Sequence, residues 1–113
     1  MACPNCGVGS ENSRLDTATQ IRSFPYKNAP SSYASCERDH GQGITATLLE
    51  CSHCHRYLVW VVYEHGGYFI GCHFWMFVVN ADASREWLSS ADFEENFESQ
   101  SKLVFSDYSH DLC

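Results

Sequence analysis

Nowhere in these 113 residues does an apolar run approach the roughly 18 residues that a membrane-crossing helix needs. The longest, Tyr57 to Tyr63 and Phe74 to Val79, are strand-sized, so no membrane partner is expected. Positive charge is scarce too: seven Lys and Arg face fourteen Asp and Glu, a formal net charge of −7. Nucleic-acid binders present a basic stripe to phosphate, and this composition argues against that role. The deficit is uneven. Residues 1–80 hold six acids against five bases, whereas residues 81–113 hold eight acids against Arg85 and Lys102. Glycine-rich phosphate loops, H-E-x-x-H and Ser-His-Asp patterns are missing, as are internal repeats and low-complexity tracts. The expectation is a protein that is not an enzyme.

Cysteine, by contrast, is plentiful at seven residues. Four of them form two pairs, Cys3-Pro4-Asn5-Cys6-Gly7 and Cys51-Ser52-His53-Cys54. A C-x-x-C turn brings two thiolates to a point about 2.3 Å from each sulfur, and a tetrahedral ion needs two such turns facing each other. The spacing therefore predicts one structural Zn2+ held by Cys3, Cys6, Cys51 and Cys54. Pro4 fixes φ in the first turn, and Gly7 can take the positive φ that folds the chain back over the metal. In the second turn His55 stands where glycine is expected, so it must adopt a left-handed backbone or avoid it. The competing reading of each pair is redox chemistry or a disulfide, but a redox C-x-x-C heads a helix in a βαβ setting and neither pair precedes such a pattern. Four thiolates also close the coordination shell, whereas a catalytic zinc keeps a position open.

In a chain this size, metal binding worth about 10–16 kcal/mol would exceed the net stability of an ordinary domain. Cys36, Cys72 and Cys113 are left over. An odd remainder, with a polar N-terminus that enters the first cysteine pair almost at once, points to a reducing compartment without a secretory signal, so a cytoplasmic protein is expected.

Along the chain, Val8 to Asp16 reads as a turn and Thr17 to Phe24 as a strand. Residues 25–43, with two prolines, two glycines and several serines, read as a long loop carrying Tyr26 and Tyr33. Ile44 to Glu50 is a strand leading into the second cysteine pair. The runs Tyr57 to Tyr63 and Tyr68 to Asn80 form a hairpin about Gly66-Gly67, a pair suited to a primed turn. That turn would place Val61 opposite Cys72 and Val59 opposite Phe74. Both strands are apolar on both faces and must be covered on each side. The cover comes from the C-terminal segment, where Asp82 or Ser84 caps a short helix with Trp87 and Leu88, and Phe93 and Phe97 follow at i, i+4. Leu103-Val104-Phe105 reads as a short edge strand and Ser106 to Cys113 as a frayed end. The predicted fold is a small mainly-β zinc ribbon, an antiparallel sheet with a short helical C-terminal segment. Residues 1–80 form the ribbon domain, and residues 81–113 an acidic segment packing on it.

The two cysteine pairs with their intervening strands and following hairpin resemble the zinc-ribbon superfamily, whose members occur in transcription factors, polymerase subunits and ribosomal proteins. The likeness covers about residues 1–80 and rests on Cys3, Pro4, Cys6, Gly7, Cys51 and Cys54. It is similar, more narrowly, to the ribbon that opens a group of prokaryotic proteins associated with defence or restriction. The resemblance implies zinc and a β-ribbon.

Other residues have sharper and blander readings. Cys36 and His40 with Cys72 and His73 could hold a second metal, but neighbours such as Cys72 and His73 point to opposite faces of a strand. His53 and His55 beside the metal read as exposed or supporting residues, since four cysteines satisfy the ion. The leading functional expectation is a zinc-stabilised interaction module that meets a protein partner with a basic surface. Its partner-binding residues would be Tyr26, Tyr33, Trp60, Trp75, Asp92, Glu94, Glu95 and Glu98, and it could act as an acidic inhibitor or regulator of a nucleic-acid-handling protein. Two alternatives remain: direct nucleic-acid binding through Arg14, Arg22, Lys27, Arg38 and Arg56, and self-association as a homo-oligomer through an uncovered hairpin face.

Overall fold

A computed structural model describes residues 2–9, 17–26, 44–65 and 71–109. Most of the expected loop 25–43, including Tyr33, Cys36 and His40, lies outside the described residues, as do Arg14, Lys27, Arg38, the Gly66-Gly67 pair and Cys113. So do the side chains of Cys72 and His73.

Among the described residues, five strands form one antiparallel sheet in sequence order: β1 Ala18–Pro25, β2 Ile44–Cys51, β3 Tyr57–His65, β4 Gly71–Val79 and β5 Ser101–Ser109. Two short helices, α1 Arg85–Leu88 and α2 Ala91–Asn96, and a 3-10 turn Phe97–Gln100 bridge β4 to β5. This is a mainly-β fold with a short helical C-terminal segment, as the sequence predicts.

Strand periodicity sorts the side chains into two apolar layers. One face buries Phe24, Tyr26, Ala46, Leu48, Val59, Val61, Trp75, Phe77 and Val79 under Leu88, Phe93 and Phe97 from the helical segment. The other buries Leu49, Cys51, Leu58, Met76 and Val78 together with Cys3. The helices start where serine side chains satisfy first-turn amides: the Trp87 N–H donates to Ser84 Oγ (3.1 Å) and the Phe93 N–H to Ser90 Oγ (3.2 Å). Phe97 then meets the rings of Phe24, Tyr26, Phe77 and Phe93 at centroid distances of 5.2 to 6.0 Å.

A register slip between Gln20 and Arg22 lets β1 serve both layers, with Ala18 packed on the cysteine side and Phe24 on the helix side. A second irregularity between Met76 and Phe77 bends the pairing of β5 at Val104. These two edge strands carry Ile21 and Val104 partly in water, at 46% and 39% exposure, and bulged edges are poor templates for further strand pairing.

Two expectations need correction. The β3–β4 register places Val61 opposite Trp75 and Val59 opposite Phe77, not opposite Cys72 and Phe74. A slip of three is odd and exchanges faces. The observed pairing puts Trp75, Phe77 and Val79 under the helices and leaves Phe74, Met76 and Val78 for the cysteine side, so both bulky sets are buried. The C-terminal strand also runs on to Ser109, reaching Cys72 of β4, where a frayed end from Ser106 is expected. Main-chain pairing with β4 stabilises residues whose side chains give little strand signal.

Truncating Phe97 to alanine should cost about 3–5 kcal/mol, because its site is fully enclosed by aromatic rings that cannot collapse into the space. Ile21→Ala on the exposed bulge should stay within about 0.5 kcal/mol. Denaturant unfolding of the two variants checks the contrast.

Candidate metal centre

The first cysteine loop precedes β1, and the second is the turn from β2 into β3. The two repeat one hydrogen-bond pattern. In the first, the Gly7 N–H donates to the Cys3 carbonyl (2.8 Å) and the Cys3 N–H to the Val8 carbonyl (2.9 Å). In the second, the His55 N–H donates to the Cys51 carbonyl (2.9 Å) and the Cys51 N–H to the Arg56 carbonyl (3.0 Å). Both loops therefore need a left-handed residue at the same position, filled by Gly7 (φ 77°) and His55 (φ 59°). His55 thus accepts the strained backbone instead of avoiding it. Its side chain, 74% exposed, stands 3.7 Å from the Glu50 carboxylate, a surface contact worth little.

The loops face each other so that the four sulfurs lie within 4.8 Å of one another. Across the junction, Cys3 Sγ is 3.8 Å from Cys54 Sγ and Cys6 Sγ is 3.7 Å from Cys51 Sγ. A tetrahedral ion with metal–sulfur bonds of about 2.3 Å requires sulfur–sulfur edges of about 3.8 Å, whereas a disulfide requires about 2.05 Å. The spacing fits a shared metal ion and excludes existing disulfides. The second loop is anchored to β1 by the Ser52 N–H and hydroxyl, which both donate to the Thr17 carbonyl at 2.8 and 2.5 Å. Thr17 Oγ1 in turn reaches the Val8 carbonyl at 3.4 Å.

Burial divides the ligands. Cys3 and Cys51 sink into the apolar floor of Leu49, Leu58, Met76 and Val78, Cys54 is half-buried, and Cys6 faces solvent. Burial pushes the Cys3 thiol up to about 12, against backbone donors from Cys6 and Asn5. At Cys51 burial also opposes ionisation, but backbone N–H groups of Cys54 and His53 outweigh it and bring the thiol down to about 6. Cys54 is lowered too: burial is outweighed by the Asn5 side chain and the Arg56 backbone N–H. Turn amides aimed at sulfur thus favour thiolate, the form a metal binds. Sequence reading passes over Asn5 and Ser52, whose only signal is their place between paired cysteines.

No other group of ligating side chains occurs among the described residues, and His53 and His55 are exposed and outside this one. The expected partner-binding residues are scattered. Tyr26 and Trp75 are 5% and 0% exposed and belong to the core beneath the helices, so they are not presented to a partner. Both lie on the covered face, where an aromatic side chain adds most by burial. Trp60 lies half-buried on the opposite face, stacked on Phe74 at 5.2 Å and Phe105 at 6.4 Å. Asp92 accepts from Trp87 Nε1 (2.8 Å) and Asn96 Nδ2 (2.9 Å), while Glu94 pairs with Arg22 at 3.2 Å. Glu95 is exposed and Glu98 half-buried.

Of the bases, Arg22 also lies over the Phe93 ring, at 5.5 Å, and Arg56 Nε donates to the Val79 carbonyl at 2.8 Å. Of the five bases that direct nucleic-acid binding would use, the two described ones, Arg22 and Arg56, are thus tied into the fold. No helix among the described residues is long and apolar enough to cross a membrane. Comparison with known protein families, with curated proteins and with solved structures finds no match.

Replacing His55 with glycine should stabilise the metal-loaded protein by about 0.5–1 kcal/mol. Relief of a left-handed non-glycine residue, about 1–2 kcal/mol, exceeds the added backbone entropy of glycine in the unfolded chain. A raised unfolding midpoint is the expected result; a lowered one would mean that the imidazole does more than tolerate its backbone.

Proposed function

We propose that this chain is a zinc-built protein-interaction module, in which the metal serves structure and the acidic face serves recognition. Zinc is the ion because a closed set of four thiolates, in two facing turns with tetrahedral edge lengths, matches its structural sites. The same closure leaves no position for substrate or activated water, which supports a non-catalytic role for the metal.

The observation that carries the recognition half is the placement of charge. Residues 81–113 contain eight acids and two bases, and their helical part turns Leu88, Phe93 and Phe97 inward while Glu86, Asp92 and Glu95 face water. Because β5 joins the same sheet, this negative surface is held on a rigid platform, so a partner need not pay the entropy of ordering a tail. With zinc bound by four thiolates the formal charge moves from −7 to about −9, which disfavours phosphate and favours a basic protein surface. The specific role is an inhibitor or regulator that occupies the basic groove of a nucleic-acid-handling protein.

Affinity capture from the native host, at low and high salt, tests the reading. The chain should retain a protein partner, and Asp92→Asn with Glu95→Gln and Glu98→Gln should weaken it about tenfold, from roughly 0.5 kcal/mol per rim charge. A partner held equally tightly at high ionic strength would rule out electrostatic recognition. Capture of nucleic acid that survives nuclease-treated controls and needs no protein would favour direct binding instead.

A further inference from the structure

We propose that the metal centre is also a peroxide-responsive switch, opened at Cys6 by formation of a Cys6–Cys51 disulfide between the two loops. The inference rests on the zinc reading above and adds a chemical reactivity to it. Three features of the site carry it. Cys6 is the ligand that faces solvent, whereas Cys3 and Cys51 are 2% and 0% exposed, so a small oxidant meets one sulfur before the others. Its neighbour across the junction, Cys51 Sγ, is only 3.7 Å away, so closure to a bond of about 2.05 Å requires a movement of less than about 2 Å. And a Cys6–Cys51 bond joins the same two loops that the shared ion joins, which allows the sheet to persist when the ion departs.

The chemistry balances with a hydroperoxide as oxidant. The Cys6 thiolate attacks the peroxide oxygen, the O–O bond breaks, and Cys6 becomes a sulfenic acid as hydroxide leaves. The Cys51 thiolate then attacks the Cys6 sulfur, the S–S bond forms and the S–O bond breaks, releasing a second hydroxide. Two thiolates lose two electrons in total, and one peroxide takes them up. With two of four donors gone, Cys3 and Cys54 alone do not make a tetrahedral shell. Those two sulfurs, 3.8 Å apart, form the second link with a second equivalent. A dithiol reduces each disulfide back to two thiols and is itself oxidised to a disulfide.

The test uses the full chain loaded with zinc, with Cys36, Cys72 and Cys113 replaced by serine so that no other thiol reports. Zinc content before oxidation is measured first: absence of zinc at that stage would contradict the zinc reading itself and leave the switch without a centre to act on. Hydrogen peroxide is then added in steps, with zinc release followed by a chromogenic indicator and sulfur pairs mapped by mass spectrometry after alkylation. The first equivalent of peroxide should release about one zinc, the first link should be Cys6–Cys51, far-UV circular dichroism should keep its strand signal, and dithiothreitol with added zinc should restore the centre. A zinc-loaded protein that keeps its metal through ten equivalents of peroxide, that forms its first link without Cys6, or that ends in sulfonic acid beyond rescue, would overturn the proposal.

Discussion

Everything in this fold hangs on four sulfur atoms brought from two loops far apart in sequence. Thiolates about 4 Å apart repel by about 4 kcal/mol per pair at the dielectric of a protein surface. Four of them within 4.8 Å cannot all ionise without a cation between them. The turn amides favour the charge, burial opposes it, and the result is a site with Cys51 pulled down to about 6 and Cys3 pushed up to about 12. Such a cluster is held together by a metal or it is a liability. With a metal it fixes the first loop on the sheet, seals the apolar floor of Leu49, Leu58, Met76 and Val78, and sets where β1 begins.

From that junction the rest is layered. The sheet is apolar on both sides and has two different covers, the cysteine loops on one face and the α1–α2 segment on the other. The helical cover is itself pinned to the edge strand: Arg22 of β1 sits over Phe93, pairs with Glu94 and donates to the Ser90 carbonyl at 3.3 Å. One arginine thereby takes part of the negative charge of α2 into the structure and leaves the remainder outward. The acidic helical segment and the cysteine cluster thus lie on opposite sides of one sheet.

Much of this was legible in the residues. The metal ligands were readable because C-x-x-C spacing carries its geometry locally, and the double-sided burial of β3 and β4 because neither strand alternates. The inward pair Phe93 and Phe97 followed from helical chemistry, which left the cap between Asp82 and Ser84; the structure uses Ser84. Register was not legible: Gly66-Gly67 suggests a tight turn, but packing of Trp75 and Phe77 beneath the helices decides the pairing. Nor was it legible that Tyr26 and Trp75 are core residues, since an aromatic side chain reads alike whether it meets a partner or a helix. The reach of β5 to Ser109 depends on main-chain pairing that side chains do not announce.

The most direct test is metal content coupled to folding, measured on protein purified without added metal. Elemental analysis should give one zinc per chain, and removal by a strong chelator should abolish cooperative unfolding and the near-ultraviolet signal of the buried tryptophan, both returning when zinc is restored. Substantially less than one zinc per chain, or a fold indifferent to chelation, would contradict the account at its centre.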